Sequence, residues 1–136
     1  MGESLAGASN TKFGFTKLLV DNLEASAGFY KTVCGLVETG RVDASIAGRS
    51  IREILFAPGH EGGATFVLLK FLDAPKPAND EVILGFMTDD VDAFVERAKA
   101  AGGAVAQPAY TLVEHGVKVA FVTDVEGHLI EVAQPL

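Results

Sequence analysis

Glu131 is the acidic residue whose sequence surroundings most suggest chemistry. It lies in a segment that alternates Leu129, Glu131 and Ala133 on one face with Ile130 and Val132 on the other. A carboxylate among so many apolar residues needs a partner, because an isolated buried charge is costly. Glu131 could act as a general base, accept a hydrogen bond from the hydroxyl or amine of a ligand, or form a structural salt bridge. The pattern leaves these three roles open.

Two basic residues are candidates to act with that carboxylate. Lys17 lies two residues after Phe15, so both side chains share one face of an alternating segment. The Lys17 ammonium could enter a cavity on that face or extend to its rim. His115 precedes a predicted hairpin and could serve as an acid or base at the mouth of a cavity. The catalytic candidates are therefore Glu131, Lys17 and His115.

The other histidines and the single cysteine fit structural roles better. His128 follows the turn at residues 124–127, and we expect it to be a surface turn residue. His60 lies in loop 58–63, which could be a connector or could cover a ligand. Cys34 shares a helical face with Tyr30 and is predicted to be a small buried hydrophobe rather than a nucleophile. No phosphate loop or nucleotide fingerprint occurs, so no nucleotide cofactor is expected.

The composition indicates what kind of protein carries these residues. The chain has 136 residues, 49% apolar and 21% charged, which is typical of one compact domain with its own core. A single cysteine excludes a disulfide framework and agrees with a reducing compartment. No apolar run reaches the roughly 18 residues of a membrane span, and no secretory signal is expected at the start, so we expect a cytoplasmic protein. The net charge of −7 argues against nucleic acid as a partner.

The first half of the chain predicts the order βαβββ. Residues 1–11 are a polar lead-in, and module one covers residues 12–72. A helix follows Asp21 and Asn22, with Asp21 and Glu24 spaced as a capping box, and Gly35 ends it. Strands are predicted at residues 13–20, 37–46, 50–57 and 65–72.

The second half repeats that order after a proline-containing linker at residues 73–80. Module two covers residues 81–136, with a helix at 89–101 and strands at 81–88, 104–107, 117–123 and 128–133. A shift of 68 places lays residues 20–25 over residues 88–93, and Gly35 over Gly103. The repeat predicts an α+β fold in which two tandem βαβββ modules form a concave mixed sheet around a small-molecule cavity. Residues 12–136 therefore form a single domain.

Two segments resemble a known family. VDNLEASAGFYKTVCG at residues 20–35 resembles the first-helix signature of the vicinal oxygen chelate superfamily, and AFVTDVEGHLIEV at residues 120–132 resembles its last hairpin. That superfamily includes glyoxalase I, extradiol dioxygenases and bleomycin resistance proteins. The resemblance places the four usual metal-ligand positions on Phe15, Leu68, Ile83 and Glu131. Only Glu131 offers a donor atom, so the sequence predicts no metal and no other cofactor.

The resemblance implies a cavity with mostly apolar walls. We expect a metal-independent protein that binds a small, largely apolar or aromatic molecule. The alternative is an isomerase or lyase of the same fold that uses Glu131 as general acid or base, and a metal-dependent glyoxalase or dioxygenase fits least. A homodimer is also implied by the resemblance. The predicted ligand-binding residues are Phe13, Phe15, Leu68, Ile83, Gly85, Met87 and Leu129.

Overall fold

A computed structural model describes residues 13–136 of the chain. The predicted lead-in at residues 1–11 lies outside the described residues. Module one contains one helix and four strands in the order βαβββ. Its elements are β1 (Phe15–Leu19), α1 (Leu23–Cys34), β2 (Glu38–Ile46), β3 (Arg49–Phe56) and β4 (Thr65–Phe71).

Module two repeats this order after a connection, residues 72–82, that contains no helix or strand. A short 3-10 turn, Val113–His115, links two of its strands. Its elements are β5 (Ile83–Met87), α2 (Val91–Ala100), β6 (Ala104–Leu112), β7 (Val117–Thr123) and β8 (Leu129–Pro135).

The eight strands form two four-stranded sheets. Sheet A has the order β1-β4-β3-β2 and sheet B the order β5-β8-β7-β6. β1 pairs in parallel with β4, and β5 in parallel with β8, while the other pairs are antiparallel. The predicted α+β class and the tandem βαβββ modules are confirmed. Strands β1 and β5 are each paired on one side, so each leaves one edge of its sheet open.

The N-cap of the first helix is one residue later than Asp21, the N-cap residue of the predicted capping box. Asn22 is the N-cap, and its side-chain oxygen accepts a hydrogen bond from the Ala25 amide at 3.0 Å. Asp21 instead accepts from the Lys76 amide at 2.8 Å, which ties the inter-module connection to module one. Glu24 forms an ion pair with Arg41. The predicted capping box is therefore wrong, although the helix and its end at Gly35 are confirmed.

Strand β6 is longer than predicted because it tolerates a proline. It continues past Gln107 to Leu112 through Pro108. Register shifts occur between Val105 and Gln107 and again between Gln107 and Tyr110. β6 is one of the two edge strands of sheet B, where proline costs no ladder hydrogen bond on the open side.

One hydrophobic core joins the two modules. It lies between the helices and the inner faces of both sheets and contains residues from α1, α2, β1, β3, β4, β7 and β8. Tyr30 on α1 is fully buried, and its ring lies 5.1 Å from Phe66 of sheet A and 6.4 Å from Phe86 of sheet B. Aromatic contacts of this kind stabilise both modules through a single helix.

A buried polar network reinforces this junction. The Tyr30 hydroxyl donates to Asp124 Oδ2 at 2.7 Å, and His128 Nδ1 lies 2.8 Å from the same oxygen. His128 Nε2 lies 3.2 Å from the Leu19 carbonyl oxygen of module one. Burial acts to raise the pKa of Asp124, but the hydrogen bonds from His128 and Tyr30 hold that pKa below its ordinary value. The network links β7–β8 to α1 and β1.

His128 is therefore not the surface turn residue that its sequence position predicts. It is 5% exposed. The Asp124 carboxylate closes the turn by accepting hydrogen bonds from the Glu126 and His128 amides, and the His128 ring then contacts the Leu19 carbonyl oxygen of β1. Within residues 13–136, neither helix is long and apolar enough to cross a lipid bilayer.

Candidate functional site

The outer face of β5 and β8 carries several of the predicted ligand-binding residues. Leu84 and Phe86 pack against the hydrophobic core, so the alternation of β5 turns Ile83, Gly85 and Met87 to the opposite face. Ile83 is 58% exposed and Met87 is 69% exposed. We call this surface, with the β8 residues beside it, the β5/β8 face. It is an apolar surface that faces away from the core.

Glu131 lies at the centre of the β5/β8 face. In the parallel register, Leu129 is opposite Ile83, and Glu131 is opposite Gly85. Glu131 is half-buried. A β-carbon added at Gly85 would meet no atom within 4 Å, so the space beside the carboxylate is open. The strands therefore place one acidic group between apolar side chains, next to a gap.

A cleft runs along the open edge of β5. Its volume is about 530 Å³, and its lining includes all five residues of β5, from both faces of the strand, together with Thr16 and Phe66 from sheet A. Glu131 and the other β8 residues are not part of this lining. Its remaining lining includes Cys34 and the exposed side chain of His60. A cleft of this size can hold a small organic molecule.

Lys17 points away from the core on the corresponding strand of module one. Its ammonium lies 2.5 Å from Glu53 Oε2, and 5.6 Å from the centroid of the Phe15 ring. The side chain of Glu53 is 8% exposed and that of Lys17 is 33% exposed. The pair satisfies a buried carboxylate, so Lys17 already has a structural partner.

Leu68 does not line an open face, and that prediction is wrong. It is fully buried in the hydrophobic core, opposite Leu18 in the parallel register. Val67 is opposite Lys17, and Glu131 is opposite Gly85. Because the shift of 68 places lays Lys17 over Gly85, Val67 occupies the module-one position equivalent to Glu131. A shift of one residue in a strand exchanges its two faces.

The donor atoms of this chain do not fit the metal site that the resemblance implies. The four equivalent positions are Phe15, Val67, Ile83 and Glu131, of which only the last has a donor atom. Within the described residues, no group of three or more His, Cys, Asp or Glu side chains could hold a metal ion. One carboxylate is too few for the four to six donors that a divalent ion requires.

The structure does not bring the three catalytic candidates together. Lys17 belongs to sheet A and pairs with Glu53. His115 is exposed in the turn between β6 and β7. The carbonyl of the following residue, Gly116, accepts a hydrogen bond from the Leu136 amide, which lies five residues beyond Glu131, just past the end of β8. At about 3.3 Å per strand residue, that backbone lies roughly 16 Å from Glu131.

Three other residues considered in the sequence have defined surroundings. Phe13 is 79% exposed and Phe15 is 57% exposed, both near the open edge of sheet A. Burial raises the pKa of the Cys34 thiol to about 12. The thiolate is therefore scarce at neutral pH, which agrees with a structural cysteine.

Glu53 is a buried polar residue of β3, on the side of sheet A that carries Lys17, and the sequence-based prediction did not single it out. Its partner Lys17 is 36 residues earlier in the chain. The alternation of Ile51, Glu53 and Leu55 places Glu53 on one face of β3, and this pattern could have identified it. Its partner depends on the order β1-β4-β3, which a single strand does not encode.

Comparison with known proteins identifies the family. The model of the Glyoxalase/Bleomycin resistance protein/Dioxygenase superfamily matches residues 12–132. The chain therefore belongs to this superfamily, and the resemblance in residues 20–35 and 120–132 is confirmed. No curated protein matches the sequence significantly.

Solved structures show the same fold at low sequence identity. A glyoxalase family protein from Bacillus cereus is 18% identical, with a TM-score of 0.80 over 98% of this chain and 99% of that one. TioX from Micromonospora sp. ML1 is 22% identical, with a TM-score of 0.65 over 93% of this chain and 100% of that one. A glyoxalase I variant from Zea mays is 19% identical, with a TM-score of 0.70 over 89% of this chain and 45% of that one. These likenesses establish the fold.

Proposed function

We propose that this protein binds a small, largely apolar or aromatic molecule on the β5/β8 face without the help of a metal ion. The observation that carries the proposal is the donor set, in which Phe15, Val67 and Ile83 stand at three of the four family ligand positions. None of these side chains can coordinate a metal. The exposed ones, Phe15 and Ile83, can contact an apolar ligand, while Val67 is 4% exposed.

The exposed side chains support this ligand class. Ile83 and Met87 are more than half exposed on the β5/β8 face and also line the cleft of about 530 Å³. Covering apolar side chains of this size is favourable by about 1.5–3 kcal/mol each when burial is complete. Methionine adapts to ligands of different shape because its side chain is unbranched and flexible.

An isomerase or lyase activity based on Glu131 is the alternative. The half-buried carboxylate beside the gap at Gly85 supports it. Acid–base catalysis usually needs a second group within hydrogen-bond reach of the substrate. Lys17 is held by Glu53 and His115 lies at the far end of the strand pair, so binding is the function that the geometry favours.

A titration followed by amide NMR tests the proposal. The probe is 2-naphthylmethanol, a neutral aromatic alcohol, added to protein kept in a chelator. We expect the largest shifts at residues 83–87 and 129–133, and an affinity about tenfold lower in Ile83→Asp because an apolar contact is lost. Val113→Asp is the matched control, since Val113 is 76% exposed in the turn after β6.

The proposal fails if the alcohol does not bind or if the two variants lose affinity equally. It also fails if the shifts lie at a second cleft of about 240 Å³, between Lys17, residues 77–79 and His128.

We also propose that the protein is a cytoplasmic homodimer. The exposed apolar side chains Phe13 and Phe15, near the open edge of β1, support pairing with a second copy. Light scattering should give twice the chain mass of 14.2 kDa, and Phe15→Asp should give the single mass. A monomer at tens of micromolar would contradict the dimer. Cell fractionation tests the location.

A further inference from the structure

Glu131 is a carboxylate without an ionic partner on an otherwise apolar surface. None of the ion pairs formed between residues 13–136 involves it. It is half-buried, and Gly85 directly opposite leaves the adjoining space open. A charge in such a position gains most from a partner that arrives with the ligand, because water solvates it only in part.

We infer that Glu131 binds the cationic group of an organic amine whose apolar or aromatic part contacts Ile83 and Met87. The inference rests on the proposed function and adds the charge class of the ligand. An ammonium group has three donors and needs little space. It fits beside a carboxylate where glycine leaves the strand surface uncovered.

Two lysines on neighbouring strands or the other sheet are engaged by other carboxylates. Lys17 is held by Glu53 at 2.5 Å on sheet A. Lys118 lies on β7, which pairs with β8, but its ammonium lies 2.7 Å from the Asp92 carboxylate of α2. The net charge of −7 further favours the approach of cations over anions. Both lysines are thus engaged elsewhere, and within residues 13–136 neither of them neutralises Glu131.

Gly85 gives the inference a steric requirement. Because nothing lies within 4 Å of an added β-carbon, Gly85→Val should fold normally on this exposed strand. The new side chain would occupy the space that the ammonium needs. We therefore expect Gly85→Val to weaken amine binding more than it weakens binding of a neutral aromatic probe.

Calorimetry with three matched probes tests the inference. The probes are 2-naphthylmethylamine, 2-naphthylmethanol and 2-naphthoate, which share one ring system and differ in charge. We expect the amine to bind at least about tenfold more tightly than the alcohol, because a charge-assisted hydrogen bond contributes that much free energy. The acid should bind most weakly of the three. Glu131→Gln should remove the preference for the amine and leave the affinity for the alcohol nearly unchanged.

Glu114→Gln is the matched control, because Glu114 is an exposed carboxylate outside the β5/β8 face. Glu114→Gln changes the net charge by the same amount as Glu131→Gln and should keep the preference for the amine over the alcohol. Equal binding of amine and alcohol by the natural chain would overturn the inference and leave the proposed function standing. A preference that survives in Glu131→Gln would also overturn it. If none of the three probes binds, both the inference and the proposed function fail.

Discussion

Replacing Tyr30 by Phe should lower the free energy of unfolding by about 1.5–3 kcal/mol, the range for a hydrogen bond to a charged group. The Tyr30 hydroxyl donates at 2.7 Å to the Asp124 carboxylate, and both residues are buried. Hydrogen bonding by this hydroxyl also helps to keep the pKa of Asp124 below its ordinary value against the opposing effect of burial. The variant leaves the carboxylate with fewer donors in a place that water cannot easily reach.

The substitution isolates the hydrogen bond because the ring stays in place. The contacts of the Tyr30 ring with Phe66 and Phe86 need no hydroxyl. Asp124 also retains its bonds from His128. The matched control is Tyr110→Phe, since Tyr110 is half-buried on β6 and is the second of the two tyrosines. We expect the control to change stability by less than about 0.5 kcal/mol.

Urea unfolding at pH 7, followed by far-ultraviolet circular dichroism, measures both variants. The slope with urea should be the same in all three proteins, so that the shift in midpoint reports stability. A loss below about 0.5 kcal/mol for Tyr30→Phe, or a loss equal to that of Tyr110→Phe, would show that the buried network does not stabilise the module junction.

Three further predictions concern other parts of the chain. Alkylation of Cys34 at pH 8 should be at least about tenfold slower than that of an exposed cysteine, because burial raises its pKa to about 12, and rapid labelling of the folded protein would contradict this. Gly103→Ala should destabilise the protein by more than about 1 kcal/mol in the same urea assay, since the new β-carbon would lie 2.3 Å from the Thr123 carbonyl oxygen and 3.0 Å from Phe29; an unchanged midpoint would refute it. Acid titration should show stability falling as the pH drops below the ordinary Asp value of 3.8, because the lowered pKa of Asp124 favours folding only while its carboxylate is ionised; Asp124→Asn should flatten this dependence.

The fold could be predicted from the sequence because its main signals are local and occur twice. The alternation in the strands and the helix stop at Gly35 need no knowledge of distant residues. The repeat of residues 20–25 at 88–93 then fixes the order of elements in both modules. The sequence predicts too early an end for β6 because Pro108 suggests a break, and only the position of β6 at a sheet edge makes that proline tolerable.

The site was harder to predict because it depends on register and on distant partners. The predicted cavity residue Leu68 lies in the core, and its neighbour Val67 has the equivalent position, so the predicted register of β4 is wrong by one residue. His128 and Asp124 form a buried pair only because their turn meets the end of β1, more than 100 residues earlier. Glu131 was recognised because a single acid in an apolar strand is visible in the sequence itself.

Calorimetric titration of 2-naphthylmethanol into chelator-treated protein, repeated with excess zinc, tests metal-independent binding most directly. We expect the same stoichiometry and the same affinity in both titrations, because Phe15, Val67 and Ile83 offer no donor atoms and Glu131 alone cannot hold the ion. Binding that appears only with zinc, or that strengthens about tenfold with it, would contradict metal-independent binding on the β5/β8 face.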